Sequence, residues 1–257
     1  MKTVLTKRTV GRGRDIALLH GWGVNSGVWQ GISEALQARF RVSYIDLPGC
    51  GQNAQSLPEP YDLAGVAELV SQCVPRPCVM LGWSLGGLVA QKIALTRPEG
   101  IEQLVLVASS PKFAAASDWP GVETKILDFF QQQLAQDFSK TLDRFLAIQA
   151  MGSATARADI KQIKHNIQQL PSPSLSALKA GLAILAETDH RSQLASLKVK
   201  THWMFGQLDS LVPLKLAKRL PSLQASASCN VLNNASHAPF ISHPKIFIKE
   251  LITLLRE

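Results

Sequence analysis

Three side chains stand out for the chemistry they could do together: Ser84, Asp209 and His237. Ser84 lies in Gly82-Trp83-Ser84-Leu85-Gly86, with Gly87 beside it. A Gly-x-Ser-x-Gly run between a strand and a helix forces a sharp turn, and the flanking glycines let neighbouring backbone approach without a Cβ clash. The hydroxyl then projects near the positive end of the following helix. A serine is a weak nucleophile until a base takes its proton, and the base needs a carboxylate to orient it. His237, in Asn233-Asn234-Ala235-Ser236-His237-Ala238-Pro239-Phe240, follows the last strand-like run and is the expected base. Its rival His243 sits in Ser242-His243-Pro244, which reads as the entry to a final helix. His165, His190 and His202 fall in helical or strand-like stretches. Asp209, in Phe205-Gly206-Gln207-Leu208-Asp209, is the expected acid. The other strand end that could carry one reads Ala108-Ser109-Ser110-Pro111 and has no carboxylate. Asp46 is better read as a residue that holds the Leu47-Pro48-Gly49-Cys50-Gly51 loop.

Nucleophilic attack on a carbonyl builds negative charge on its oxygen. Two backbone N–H groups aimed at that oxygen are worth roughly 100- to 1000-fold each. Leu85, next after the nucleophile, should supply one; Trp22, in His20-Gly21-Trp22-Gly23, should supply the other. His20 is expected to hold the shape of that loop, and the rings of Trp22 and Trp83 to line the pocket.

These loops need a scaffold that brings strand ends together. Short apolar runs at 16–19, 42–45, 78–81, 104–107, 202–205 and 230–232 read as strands buried on both faces. Helical patterns fall between them at 28–38, 63–72, 85–96, 213–220 and 245–255. The alternation predicts an α/β fold with a mostly parallel sheet flanked by helices. It stops between about 111 and 191, where amphipathic helices are expected at 123–134, 138–151, 155–170 and 175–186. The chain therefore divides into a core of residues 1–111 and 192–257 and an inserted helical lid, residues 112–191.

Composition supports this class. Of the 257 residues, 46% are hydrophobic and 18% charged, enough for a sizeable core and too apolar for wholesale disorder. No apolar run approaches the roughly 18 residues that span a bilayer, and the basic residues 1–14 lead into no signal-peptide core, so a cytoplasmic protein is expected. Cys50, Cys73, Cys78 and Cys229 show neither metal-ligand nor disulfide spacing and are expected as free thiols. The net charge of +8 comes without a nucleic-acid motif or a long basic block, which leaves a solvated surface or an acidic protein partner.

Together with Ala108-Ser109-Ser110-Pro111 and the run from Ser236 to Pro244, the loops around Trp22 and Ser84 resemble the pimeloyl-[acyl-carrier protein] methyl ester esterases of bacterial biotin synthesis, which have the α/β-hydrolase fold. So do Trp119-Pro120-Gly121, Phe130-Gln131-Gln132-Gln133-Leu134, and Arg144-Phe145-Leu146-Ala147 through Gln149 to Met151-Gly152, within the expected lid. Cys50 departs from the family, which often has an aromatic there. The resemblance implies Ser84, Asp209 and His237 as the triad, and substrate contacts at Trp22, Ser84, Leu85, Phe145, Leu146, Ala147, Ile148, Gln149 and His237. It implies no metal or organic cofactor. The implied partner is a carrier protein bearing the methyl ester, with no nucleic acid or membrane and the chain acting as a monomer. Acyl carrier proteins are acidic, and the lid is basic: Lys140 and Arg144, then Arg157, Lys161 and Lys164, recur at helical spacing and form a candidate docking face. A general short-chain carboxylesterase and a ligand-binding protein on a hydrolase scaffold remain the alternatives.

Overall fold

The computed structural model describes residues 3–256, so residues 1, 2 and 257 of the expected core lie outside the described residues. Among the described residues seven strands form one sheet: β1 (Lys7–Val10), β2 (Arg14–Leu19), β3 (Phe40–Ile45), β4 (Cys78–Trp83), β5 (Ile101–Val107), β6 (Lys200–Gly206) and β7 (Ser228–Leu232). Their order is β1-β3-β2-β4-β5-β6-β7. Every pairing is parallel except β1 with β3. The six runs expected as strands all lie in it. β1 was not foreseen, because an exposed edge strand reading Lys-Arg-Thr-Val needs only backbone pairing and shows no apolar alternation.

Alternate residues of each strand feed two separate cores. Ala17, Leu19, Met80, Leu104, Leu106, Trp203 and Phe205 pack on one face; Ile16, Leu18, Val79, Leu81, Trp83, Val105, Val107 and Met204 pack on the other. The helices of the core are α1 (Gln30–Gln37), α2 (Leu63–Cys73) and α3 (Leu85–Thr96). The insertion supplies α4 (Thr124–Gln136), α5 (Phe138–Gln149), α6 (Ala156–Ile167) and α7 (Leu175–Glu187). After it come α8 (Leu220–Leu223), α9 (Pro239–Ser242) and α10 (Pro244–Arg256). Helices α2 and α3 cover the first face, α1, α9 and α10 the second.

The helix expected over 213–220 is instead a 3-10 turn, Leu214–Lys218, followed by α8. Pro221 explains the break. It has no N–H for an i→i−4 bond and its ring would meet the carbonyl of residue 217, so it is tolerated only where a new helix starts. All four cysteines are free. Burial pushes the Cys50 thiol up, and that of Cys73 up to about 11, so neither is a rival nucleophile at neutral pH.

The two ends of the helical segment are tied together at its base. His190 N–H donates to Pro111 O at 2.9 Å. Arg191 reaches Asp118 at 3.2 Å and Asp189 at 2.8 Å, lies over the Trp119 ring, and Lys112 faces Asp189 at 3.4 Å. The surface cleft there, lined by Asp118, Trp119, Arg191 and Arg219, is therefore already charge-paired within the chain.

Two outcomes follow. Burial, with nearby Lys92 adding to it and Asp189 opposing, lowers the His190 pKa to about 4 from 6.5. Between those values the unfolded chain binds a proton that the folded chain refuses, so stability should fall as pH drops from about 6.5 towards 4, by on the order of 1–3 kcal/mol. Buried His20, shifted in the same direction, adds to the slope. In His190→Gln the slope of unfolding free energy against pH should flatten by about one proton; an unchanged slope would refute the assignment. The second concerns Gly206, the last residue of β6. A Cβ there would lie 2.0 Å from Ser236 O and 2.7 Å from Ala235 O, both main-chain atoms. Gly206→Ala should lower stability by about 1–3 kcal/mol in chemical denaturation. No shift in the denaturation midpoint would mean that the 235–236 loop yields freely.

Candidate active site

The sheet order reverses direction at β2: the chain runs from β2 outward to β3, then returns to place β4 on the other side of β2. In open parallel sheets, the crevice outside the carboxyl ends of strands at such a switch point is where ligands bind. Here β2 and β4 pair directly, Leu19 opposite Gly82, so the loop leaving β2 and the turn leaving β4 must be neighbours. A Cβ on Gly21 would be 3.2 Å from the Ser84 Cβ, and one on Gly86 would be 2.4 Å from Leu19 O. Glycine at 86 is thus required by the approach of the β2 backbone.

Ser84 has φ 54° and ψ −119°, a left-handed conformation that an L side chain rarely adopts. Its N–H donates to Val107 O at 3.0 Å, and its carbonyl accepts from Gly87 N at 2.9 Å. The hydroxyl of Ser84 is 2.9 Å from Nε2 of His237, and Nδ1 of His237 is 2.8 Å from Oδ2 of Asp209. A carboxylate can only accept, so Nδ1 carries the proton and Nε2 is left to accept from the Ser84 hydroxyl. The other carboxylate oxygen, Oδ1 of Asp209, accepts from the N–H groups of Leu211 (2.9 Å) and Val212 (3.0 Å). All three side chains are buried. The structure therefore brings Ser84, His237 and Asp209 into one hydrogen-bonded line, with the geometry of a base-activated nucleophile.

The His237 main chain is held as firmly as its ring. Its N–H donates to Gln149 O at 3.2 Å, and its carbonyl accepts from the Trp83 indole N–H at 2.7 Å. Ser236 Oγ lies 3.0 Å from Gln149 O and 2.8 Å from Met151 O and shares its one proton between them, so the histidine loop is tied to the end of α5. The Trp83 ring does not line the cavity beside Ser84, contrary to expectation. It follows Val79 and Leu81 at strand period two onto the opposite face, where it packs on Trp29 and Phe240 beneath the His237 loop. The Trp22 ring is anchored by α7 and α5. Its N–H donates to Leu178 O of α7 at 2.8 Å and its ring meets Phe145 edge-on at 4.6 Å.

His20 and Asp46 shape the loops, as their sequence positions suggested. His20 Nδ1 donates to Gly21 O at 2.8 Å and Nε2 accepts from Leu47 N–H at 3.0 Å. An acceptor nitrogen must be unprotonated, and burial lowers the His20 pKa accordingly, against the pull of Asp46. Asp46 accepts from the N–H groups of Ser26 (2.6 Å) and Gln52 (2.9 Å). The His243 ring lies 2.8 Å from the Ser242 hydroxyl next to it, between α9 and α10.

Ser84 opens onto a cavity walled by Phe113, Val122, Ile126, Leu127, Phe130, Phe145, Leu185 and Leu211. Apart from the serine the wall is wholly apolar, and most of it comes from the inserted segment. Of the contacts implied at 145–149, Phe145 belongs to this wall, and so does Phe130 of the Phe130–Leu134 run. Residues 145–149 are one stretch of helix, and successive positions turn by about 100°, so they cannot all face one way. Phe145 and Ile148 pack into the core that the cavity joins, Leu146 packs with Val24 and Ile163 in the other, and Ala147 is exposed. Leu146 and Ala147 therefore face away from the cavity, contrary to the contacts the resemblance implied. The remaining wall residues carried no local signal; only the amphipathic period of α4 and α7 marked a buried face. Of the basic residues, Lys140, Arg144, Arg157 and Lys161 are exposed. Lys140 pairs with Asp137, and Lys164 is half-buried in an ion pair with Asp143 at 2.7 Å, bridging α6 to α5.

Comparison with known proteins agrees with this picture. Residues 16–244 match the model of the alpha/beta hydrolase fold family. The chain is 52% identical over 253 residues to the pimeloyl-[acyl-carrier protein] methyl ester esterase of Pseudoalteromonas atlantica, covering 98% of each chain. It is 50% identical over 239 residues to the enzyme of that name from Aeromonas hydrophila, covering 93% of this chain and 94% of that one. Among solved structures, an esterase from Exiguobacterium antarcticum superposes with a TM-score of 0.86 at 22% identity, covering 98% of this chain and 96% of that one, which is a likeness of fold. The strained serine at a strand end, the fold around it and the full-length similarity agree: this chain belongs to the pimeloyl-[acyl-carrier protein] methyl ester esterase family of α/β hydrolases.

Proposed function

We propose that this chain is a serine esterase that hydrolyses the methyl ester of pimeloyl-[acyl-carrier protein], releasing methanol and a free terminal carboxylate, in biotin synthesis. The observation that carries the reading is the Ser84–His237–Asp209 line opening onto an apolar cavity. An aliphatic chain ending in a neutral methyl ester matches that wall, and curated relatives of about half identity bear the corresponding name.

In the reaction, His237 Nε2 takes the Ser84 proton as the oxygen attacks the ester carbonyl carbon. The resulting oxyanion is held by the N–H groups of Trp22 and Leu85. The C–O bond to the methoxy group then breaks, and His237 returns its proton to make methanol. Water, deprotonated by His237, attacks the acyl-serine and releases the acid and the Ser84 hydroxyl. Asp209 keeps the imidazole in the right tautomer and stabilises it while it is positive.

Residues 112–191 act as a lid on the core formed by 1–111 and 192–257. Ile126 of α4 both lines the cavity and is 37% exposed, which marks where the cavity meets solvent. Arg144 lies on the same helix pair, bonded to Gln133 of α4 at 3.0 Å and adjacent in sequence to Phe145 of the wall. An acidic carrier protein docking on Lys140, Arg144, Arg157 and Lys161 would deliver its acyl arm close to that mouth. Lys164, already paired with Asp143, contributes least. Among the described residues no helix is long and apolar enough to cross a membrane.

Two variants test this. Ser84→Ala should fold with an unchanged melting temperature and lose at least about 1000-fold in turnover, as well as covalent labelling by a fluorophosphonate; near-parental hydrolysis would overturn the reading. Arg144→Glu should raise KM for the carrier-bound ester by about tenfold at low ionic strength, with the gap narrowing as salt is added. Its rate on a small soluble methyl ester should stay within about twofold of the parent. Equal losses on both substrates would assign Arg144 to packing.

A further inference from the structure

The strand beside the nucleophile ends in Ala108-Ser109-Ser110-Pro111, where no carboxylate is present and the proposed reaction uses no side chain. Yet the turn is built with care. Ala108 has φ 43°, the left-handed region, and its N–H donates to Met204 O at 2.8 Å. β4 and β5 end side by side, Trp83 opposite Val107, so two strained residues, Ser84 and Ala108, follow directly on neighbouring strands. The turn at Ala108 carries the next residue back beneath the nucleophile. Ser109, fully buried, donates its hydroxyl proton to the main-chain carbonyl of Ser84 at 2.9 Å. Its Oγ has room there only because residue 87 is glycine, since a Cβ on Gly87 would lie 2.2 Å from it.

The Ser84 carbonyl belongs to the same peptide plane as the Leu85 N–H. That plane is rigid and trans, so its C=O and N–H point in opposite directions, and fixing one fixes the other. The carbonyl is fixed from two sides, by Gly87 N–H at 2.9 Å and by Ser109 Oγ at 2.9 Å. The Gly87 bond is local, within the turn itself. The Ser109 bond comes from the turn that follows β5 and ties the plane to the neighbouring strand end. Leu85 is the first residue of α3, so its N–H has no acceptor within the helix and is free for a ligand.

We propose that Ser109 is a positioning residue: its hydroxyl, by holding the Ser84 carbonyl, orients the Ser84–Leu85 peptide so that the Leu85 N–H points at the oxyanion. The proposal rests on the esterase reading above and on Leu85 as one of its two oxyanion donors. It separates two tasks of the strained turn. The His237 bond governs the reactivity of the Ser84 oxygen; the Ser109 bond governs the amide that receives the charge. Loss of the second should leave the first intact.

The test compares the parent with Ser109→Ala, with Ser109→Thr, which keeps the hydroxyl, and with Ser109→Cys, close to serine in shape but a weak donor. Each is assayed on a small soluble methyl ester and against a trifluoromethyl ketone, whose serine adduct places an oxyanion in the hole. Expected for Ser109→Ala and Ser109→Cys is a fall in kcat of about tenfold and an equal weakening of the ketone. KM should stay within about twofold, and the pH profile of kcat/KM should keep its shape. Ser109→Thr should recover most of both losses. Parental kcat and ketone affinity in Ser109→Ala and Ser109→Cys would overturn the proposal. So would losses that track KM and melting temperature instead of the ketone, since those mark a packing role. A parent that cleaves no ester at all would sink the esterase reading itself, and this inference with it.

Discussion

The imidazole of His237 sits between two partners far away in the chain, Ser84 at 153 positions and Asp209 at 28, with 2.9 Å on one side and 2.8 Å on the other. Such a line tolerates little error, since a hydrogen bond weakens steeply once its distance or angle departs from ideal. Each member is held by main chain as well as by its neighbour in the line. Asp209 takes two N–H bonds on its free oxygen. His237 gives its N–H to the end of α5 and accepts from the Trp83 indole. Ser84 is pinned at both ends of its residue. A strained backbone of this kind costs on the order of 1–3 kcal/mol and persists only when its surroundings over-determine it. Those hydrogen bonds are the over-determination.

The sheet supplies this precision through its switch in strand order. Because β2 and β4 are adjacent and parallel, two loops that leave the sheet at the same end lie in contact, and neither has to travel. Asp209 and His237 arrive in the same way, from the ends of the adjacent parallel strands β6 and β7. The loops around His20 and Asp46 then brace one another, Leu47 N–H bonding His20 and Ser26 N–H bonding Asp46. Both accept backbone N–H groups, and His20 can do so only while uncharged, so burial and bonding act together to keep it neutral.

The inserted helices contribute a different kind of surface. With the chain that leads into them, they wall the cavity beside Ser84 through Phe113, Val122, Leu127, Phe130 and Phe145, and they carry exposed cations on α5 and α6. An apolar interior with a basic exterior suits a substrate that is aliphatic at its reacting end and acidic at its carrier. The same helices anchor the catalytic loop, since Gln149 and Met151 hold Ser236 and His237. The position of these helices and that of the histidine are therefore mechanically linked.

The amino-acid sequence by itself determined the elements that follow from local periodicity: the six strands of the parallel sheet, the break in alternation where the helices are inserted, and the identities of Ser84, Asp209 and His237. Those three are legible because a nucleophile turn, a strand-end carboxylate and a strand-end histidine each leave a short-range mark in residue type and order. Tertiary structure alone decided what depends on facing. It turned the Trp83 ring to the far side of the sheet, split residues 145–149 between two cores and the surface, and assembled the cavity wall from five separate segments. It also gave Ser109 a carbonyl to hold. A side chain's direction is set by helical rotation and strand register relative to a partner that lies anywhere in the chain, and no spacing within one segment encodes where that partner will be.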